Sequence, residues 1–425
     1  MKFYIETYGC QMNVADSELL ISILSRAGHL MVKDINAADL ILFNTCSVRA
    51  HAEERVLGRI SNEQHRKKAN PELKIGLLGC MAQRMGKSLL ERGADFVVGV
   101  DQYHRLPEML AEMDESAFLL DFDSSQVYHD YLPVHQDKSC AFVTIMRGCN
   151  NFCSYCIVPH VRGRERSRPW KDIFSEVQSA GEAGLKDLTI LGQNVNSYHD
   201  GEFDFPDLLK RLNDVQSIER LRFITSHPKD LSDKLIEVMQ SSSKVCEHVH
   251  LPMQSGSNRI LKEMNRKYSI EHYLSLVSKL RNAIPNISLT TDIIAGFPGE
   301  SDSEFQETLS SMEQIGFDYA FCFKYSPRDG TAAATMANQV PEDIRLNRLQ
   351  QMIELQRRIT LEKFRAKIGK QVEVYVEDFS KKSKTMVSGK TRDNKIAVLS
   401  GCETDIGTLK QAVVKTATAG TLICS

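Results

Sequence analysis

Arg147-Gly148-Cys149-Asn150-Asn151-Phe152-Cys153-Ser154-Tyr155-Cys156 places three cysteines within eight residues, three residues separating the first pair and two the second. That pitch is too tight for three thiols on the buried face of one strand or helix. It suits a loop wrapped around a metal centre, with its sulfurs turned inward. Thiolates select zinc, soft copper or iron–sulfur clusters. A structural zinc site closes with four ligands, usually in two pairs, and here no fourth Cys or His follows at pair spacing; His160 is the nearest. A 4Fe–4S cube held by three thiolates leaves one iron open to an outside ligand. The loop reads as an iron–sulfur site, with zinc as the alternative.

Outward from this loop, strand and helix patterns alternate. Strands are expected at 141–146, 188–191, 221–225, 247–251, 288–294 and 319–325. Amphipathic helices separate them at 171–183, 206–215, 233–240, 270–283 and 303–315. Six βα units are too few to close an eight-stranded barrel and suit an open, partial (β/α)6 barrel. The cysteine loop then follows the first strand, at the carboxyl end where barrel enzymes place their chemistry. A long charged helix, 341–367, ends the region.

Residues 1–110 also alternate, with strands at 3–8, 39–44, 74–78 and 96–100, and helices at 17–27, from 50 to about 65, and around 88–92. That order implies a parallel sheet with helices on its faces, and such sheets bind ligands beyond the carboxyl ends of their strands. Each of the first three strands runs directly into a cysteine, in Tyr8-Gly9-Cys10, Asn44-Thr45-Cys46 and Leu78-Gly79-Cys80. The fold would gather the three thiols at one edge, as a second three-thiolate cluster with an open iron. The alternative is three buried structural thiols.

Residues 111–138 are acidic and irregular and read as a linker. From Gly369 short alternating strands at 371–377, 385–391, 395–400 and 411–418 describe a small antiparallel β-barrel. Residues 366–425 hold ten Lys/Arg and six Asp/Glu, a local excess of four positive charges in a chain of net charge −2. The hairpin Ser388–Lys395 concentrates polar and basic groups and is expected to contact RNA, since polyanion binding needs clustered cations rather than net charge. The fold class is therefore α/β: an N-terminal parallel α/β domain (1–115), a central partial barrel (135–366) and a small C-terminal antiparallel β-barrel (367–425).

With 42% hydrophobic and 25% charged residues over 425 positions, the composition is that of a globular protein. No apolar run reaches membrane-spanning length, and the N-terminus carries Glu6 where a signal peptide needs its apolar core. Eleven cysteines in that context read as reduced thiols or metal ligands, which points to the cytoplasm and away from a membrane.

Tyr155, directly before the third cysteine, is similar to the aromatic at that place in the radical S-adenosylmethionine (SAM) superfamily. The three-part order, together with further motifs, resembles the methylthiotransferases, whose C-terminal piece is the TRAM domain. These motifs are Tyr8–Asn13, Arg147–Pro159 with Arg162-Gly163, Gly192–Tyr198, His250–Ser257 and Gly296–Glu300. The resemblance covers nearly the whole chain and is closest to the MiaB type, because Gln11-Met12-Asn13 follows Cys10. Sister types act on threonylcarbamoyladenosine in tRNA or on a ribosomal-protein aspartate.

The resemblance implies that the chain methylthiolates carbon 2 of isopentenyladenosine beside the tRNA anticodon. An adenine C–H is too inert for polar substitution, so a radical must remove its hydrogen before sulfur and methyl are supplied. By the same resemblance, Cys149, Cys153 and Cys156 are catalytic and hold the 4Fe–4S cluster that cleaves SAM. Cys10, Cys46 and Cys80 hold an auxiliary 4Fe–4S cluster that presents sulfur for methylation by a second SAM. Gly296 and Gly299 are expected at the SAM, and Gln193 and Asn194 at the SAM or the substrate base, with plain turn roles as the alternative. Reductive cleavage calls for a flavodoxin- or ferredoxin-like electron donor, and the chain is expected to act as a monomer.

Arg162, Arg164, Arg166 and Arg168 form a basic run expected to meet tRNA phosphates. Cys140, Cys246, Cys322, Cys402 and Cys424 lack partner spacing and read as plain thiols. A different class, a redox-sensing RNA-binding protein without catalysis, would have no use for a SAM pocket.

Overall fold

The computed structural model describes residues 1–425 apart from 48–49, 114–116 and 382. The boundary expected at 115 lies outside the described residues. The chain divides into two compact units. The first comprises 1–136, 144–150 and 157–172; the second comprises 137–143, 151–156 and 173–425.

The first unit is built on β1 (Lys2–Thr7), α1 (Gln11–Arg26), β2 (Leu30–Met31), β3 (Leu40–Thr45), α2 (Ala50–Ala69) and β4 (Lys74–Leu78). After these come α3 (Gly79–Met85), β5 (Phe96–Val98), α4 (Leu106–Glu112) and β6 (Ala117–Leu119). The six strands form one parallel sheet in the order β2-β1-β3-β4-β5-β6. The central strand β3 is buried along its whole length, as a strand covered on both faces must be. Its side chains alternate between two cores: Leu40 and Leu42 pack with Leu20 and Leu24 of α1, Ile41 and Phe43 with Val56 and Ile60 of α2. Full burial of each such side chain contributes about 1.5–3 kcal/mol.

Ala117–Leu119 falls within the stretch expected to be a linker. It instead extends the sheet, with Phe96 opposite Ala117. Beyond it Tyr128 is buried, stacking on Tyr103 at 5.9 Å and donating a hydrogen bond to the Val100 carbonyl at 2.8 Å.

The segment that carries the cysteine loop begins with β7 (Cys140–Thr144) and β8 (Met146–Arg147), followed by α5 (Val158–Arg162) and β9 (Arg166–Ser167). β8 and β9 pair antiparallel, and Ile157 and Val161 pack into the first unit's core beside Cys80 and Leu78.

The second unit continues with α6 (Trp170–Glu182), β10 (Asp187–Leu191), α7 (Phe205–Asn213), β11 (Arg220–Phe223), α8 (Asp233–Ser241) and β12 (His248–His250). It goes on through α9 (Asn258–Glu263), α10 (Ile270–Ala283), β13 (Ser288–Ala295), α11 (Asp302–Ile315), β14 (Tyr319–Lys324) and α12 (Glu342–Arg365). The strands lie in the orders β11-β10-β7 and β12-β13-β14, and a parallel bridge from Leu221 to Val245 joins the two runs. This is the open six-stranded βα barrel read from the sequence. α11 starts where Ser301 and Glu304 form a reciprocal capping box.

Five strands close the C-terminal barrel: β15 (Gln371–Ser380), β16 (Ser383–Thr391), β17 (Ile396–Ser400), β18 (Leu409–Ala417) and β19 (Leu422–Cys424), in the order β15-β16-β17-β19-β18. The fifth strand was not expected. It pairs parallel with β17, so the barrel is not wholly antiparallel.

This barrel seats its β16–β17 hairpin on the strand starts of the βα barrel. Arg220 donates to the Lys390 carbonyl at 2.6 Å and to the Glu373 carboxylate at 2.8 Å. Arg222 reaches the Thr391 carbonyl at 3.1 Å while gripping Asp187 at 2.9 and 3.0 Å. Arg392 pairs with Glu247, and Lys395 with Asp318 at 2.7 Å. Thr391, Asp393 and Lys395 are buried. The hairpin expected to face RNA is thus a docking element, and its Arg392 and Lys395 neutralise carboxylates of the larger barrel. Among the described residues no helix is long and apolar enough to cross a membrane.

Candidate active site

In the first unit, Cys10, Cys46 and Cys80 follow β1, β3 and β4 at the carboxyl edge of the sheet. Cys10 is exposed, Cys46 and Cys80 are buried. A hydrogen bond with Cys46 pulls the Cys10 thiol down to about 6; the Arg162 charge and the amides of Asn13 and Met12 add to this, against burial. Burial holds the Cys80 thiol up, with Arg162 pulling the other way. Gly9, at φ +142, is the residue that lets β1 come this close: a Cβ there would lie 2.6 Å from the Cys46 Cβ.

A buried amide pair fixes the edge. Asn13 Nδ2 donates to Asn44 Oδ1 and to the Thr45 carbonyl, both at 3.2 Å, and Asn44 Nδ2 donates to the Asn13 carbonyl at 2.8 Å. Asn13 thus has a structural reason to stand three residues after Cys10.

Behind these thiols lies a buried charge cluster that the sequence reading missed. Arg162 Nε donates to Cys80 Sγ at 3.2 Å, and its Nη2 to Asp16 Oδ2 at 2.7 Å. Arg147 Nη2 meets the other Asp16 oxygen at 2.8 Å. Burial would raise the Asp16 carboxyl, but the two guanidiniums reverse this and hold it below its ordinary range. The basic run was expected to meet tRNA phosphates. Arg162 and Arg168 are instead buried, Arg168 on the Thr144 carbonyl, and Arg166 is paired with Asp101 at 2.8 Å. Only Arg164 of the four is exposed.

Cys149 belongs to the first unit, where its amide donates to the Gly163 carbonyl at 3.2 Å. The residue before it must be glycine: Gly148 has φ +76, and a Cβ would fall 2.0 Å from the Arg164 carbonyl oxygen.

Cys153 and Cys156 belong to the second unit. The Cys156 amide donates to the Cys153 carbonyl at 2.9 Å, a tight turn consistent with the two-residue spacing. Ser154 is bonded to the Met264 and Glu263 carbonyls, and Asn265 donates to the Phe152 carbonyl. Buried Arg266 donates to Cys153 Sγ at 3.3 Å, to the Pro252 carbonyl at 3.1 Å and to the Tyr268 hydroxyl at 3.0 Å. The loop is thus tied to the end of α9 and to the turn after β12. Sequence reading missed Arg266, whose only hint was its place in Met264-Asn265-Arg266-Lys267-Tyr268.

The carboxyl ends of the barrel strands hold an unusual set of orphaned polar atoms. Gln193 Oε1 and Asn194 Oδ1 after β10, Ser226 Oγ after β11 and Gln254 Oε1 after β12 are buried without a hydrogen-bond partner among the described residues. Such groups cost about 1–3 kcal/mol each when left unpaired. Thr225 and Gln254 also adopt positive φ, +69 and +67, where non-glycine residues are strained. A ligand that brings N–H donors to this mouth, as SAM does, would satisfy these acceptor oxygens. Gly296 and Gly299 turn the chain after β13. The Gly296 amide is taken by the buried Glu300 carboxylate at 2.7 Å, and the side-chain space at Gly296 is filled by Arg345.

Thiolate sets backed by a buried guanidinium fit anionic iron–sulfur cubes. Among the described residues no three His, Cys, Asp or Glu side chains crowd about one ion. A cube, whose thiolates each take a separate iron, needs no such crowding.

Two family models match the chain: the Radical SAM superfamily over residues 143–312, and the uncharacterized protein family UPF0004 over residues 2–99. Among solved structures, the radical SAM methyltransferase TsrM from Kitasatospora setae, with cobalamin and a [4Fe-4S] cluster bound, aligns with a TM-score of 0.58 at 13% identity. The match covers 78% of this chain and 77% of that one, a likeness of fold. The tRNA-2-methylthio-N(6)-dimethylallyladenosine synthase of Thermoanaerobacter sp. (strain X514) is 47% identical over 99% of this chain and 91% of its own length. That of Syntrophus aciditrophicus (strain SB) is 46% identical over 97% and 92%. At that identity over nearly the full length, the chain belongs to the family of tRNA-2-methylthio-N(6)-dimethylallyladenosine synthases, radical SAM enzymes that modify tRNA.

Proposed function

We propose that the chain inserts sulfur and a methyl group at carbon 2 of isopentenyladenosine next to the tRNA anticodon. The observation that carries this reading is the pairing of a SAM-type cysteine loop with three cysteines converging at one sheet edge, in a chain so close to the synthases. Cys149, Cys153 and Cys156 would hold one 4Fe–4S cube, and Cys10, Cys46 and Cys80 another. Bound there, the cubes supply one-electron reduction of SAM and a site for the sulfur to be transferred; electrons come from a flavodoxin- or ferredoxin-like donor.

The remaining work falls to the chain's own side chains. Arg266 fixes Cys153, and so the loop, against the turn after β12. The orphaned oxygens of Gln193 and Asn194 accept hydrogen bonds from the SAM ammonium, while Gly296 and Gly299 shape the turn beside it. Tyr319, Phe321 and Phe323 share one face of β14 and are 45%, 44% and 38% exposed. The His250 ring meets Phe321 edge-on at 6.0 Å, so this aromatic face lies on the His250 side of the sheet. A nucleobase with an apolar tail finds stacking surface there, at about 1–3 kcal/mol per base. With the basic run and the hairpin engaged inside the protein, RNA recognition rests more on this aromatic face than on clustered cations.

Mass spectrometry of tRNA nucleosides tests the activity: cells lacking the protein should accumulate isopentenyladenosine and lose its 2-methylthio derivative. An unchanged nucleoside profile would sink the proposal. The two-cluster assignment has its own measurement. Anaerobically reconstituted protein should bind about eight irons, and a variant with Cys10, Cys46 and Cys80 all replaced by Ala about four. A triple variant with full iron content would remove the N-terminal cluster from the account.

A further inference from the structure

Arg162 is 3% exposed. Its Nε donates to Cys80 Sγ and its Nη2 to Asp16, while Nη1 is shut away from solvent with no partner among the described residues. Asp16 is fully buried and shared with Arg147, which is itself buried under the Tyr128 ring at 4.8 Å. Two guanidiniums against one carboxylate leave a single positive charge locked behind the thiol edge. A buried charge without its counter-charge is strongly unfavourable. Three thiolates on an oxidised cube, whose core carries two positive charges, leave a single negative charge. The two residues balance each other, and a cube also brings the sulfur acceptors that the spare Nη1 donor lacks.

We propose that Arg162 is the positioning residue of the N-terminal cluster. It acts as hydrogen-bond donor to the Cys80 sulfur and as the cluster's counter-charge, and it raises the cluster's reduction potential. Hydrogen bonds to the sulfurs and net charge are among the levers that set such potentials. The inference rests on the reading that Cys10, Cys46 and Cys80 hold a cube. Arg147 contributes only charge to this arrangement, because its guanidinium meets Asp16 and the Tyr128 ring. Substituting Arg162 leaves Asp16 paired one-to-one with Arg147, so the fold keeps a neutral pair.

The test uses full-length protein in which Cys149, Cys153 and Cys156 are replaced by Ala, so that any remaining cube is the N-terminal one. Iron content and the midpoint potential, followed by electron paramagnetic resonance during reductive titration, are compared with Arg162→Met, Arg162→Lys and Arg147→Met added. Arg162→Met should shift the redox equilibrium at least tenfold toward the oxidised cube, about 59 mV for a one-electron couple. Arg147→Met should shift it less, since the bond to Cys80 survives, and Arg162→Lys should fall between. If Arg162→Met does not fold, the order of the other two against the parent decides the matter. An unchanged potential in the Arg162 variants, or an Arg147→Met shift as large as theirs, overturns the role given to Arg162. A parent protein without iron would instead overturn the cluster reading beneath it.

Discussion

A Cys153→Ala protein, incubated anaerobically with SAM and a reductant, is expected to form S-adenosylhomocysteine but no 5′-deoxyadenosine, and to leave isopentenyladenosine unmodified. Cys153 is the cysteine of its loop that Arg266 holds, at 3.3 Å. Its loss removes a proposed cluster ligand and strands a buried guanidinium donor. The thiols at Cys10, Cys46 and Cys80 sit in the first compact unit, on a separate sheet with its own two cores. Polar methyl transfer to sulfur there needs no radical and should persist. Cys46→Ala should give the mirror result, 5′-deoxyadenosine without methylthio product. Chromatography of both by-products reads the outcome. Loss of both by-products in both variants would mean that the two sets do not work separately.

Removing residues 369–425 should destabilise the βα barrel itself, not merely weaken RNA binding. The hairpin supplies carbonyls to Arg220 and Arg222, a cation to Glu247 and another to Asp318. Without it, those groups face solvent or one another with part of their bonding lost. Arg222→Ala is the sharper version, because it leaves Asp187, whose side chain is 2% exposed, without its guanidinium. Breaking a buried pair from one side costs about 3–5 kcal/mol, enough to lower the unfolding temperature of a domain this size by roughly 10 °C. Lys415→Ala, on the exposed face of β18, is the control and should change stability by less than about 0.5 kcal/mol. A truncated protein that unfolds at the wild-type temperature would show the hairpin contacts to be incidental.

How much of this was legible in the sequence follows from what each signal depends on. Helix α10 was bounded at 270–283 by apolar spacing alone, and the structure places it at Ile270–Ala283. Strong local periodicity needs no tertiary help. β19 is three residues long and takes its partners from β17 and β18, so no local pattern marked it. β6 was hidden in an acidic stretch, although Ala117-Phe118-Leu119-Leu120 is an apolar run of four. The cysteines were readable because their spacing and strand-end contexts are written in the chain.

The arginines were not readable in that way. Arg162 and Arg164 look alike in sequence, yet one is buried against Cys80 and Asp16 and the other is exposed. Which way a cation turns is decided by a carboxylate far along the chain, here 146 residues away. The Ser388–Lys395 hairpin misled for the same reason: clustered charge marks a surface that wants counter-charge, whether a polyanion or another part of the same protein supplies it.

The seating of that hairpin also bears on how the protein is made. Arg222 leaves the ribosome 170 residues ahead of Arg392, whose carbonyl it will meet. At about 5–20 residues per second the gap is roughly 10–30 s, during which Arg220 and Arg222 lack the carbonyls that the hairpin supplies. A nascent chain therefore cannot finish its catalytic barrel until its last segment has been translated. Early termination products should therefore be cut by protease faster than the full chain.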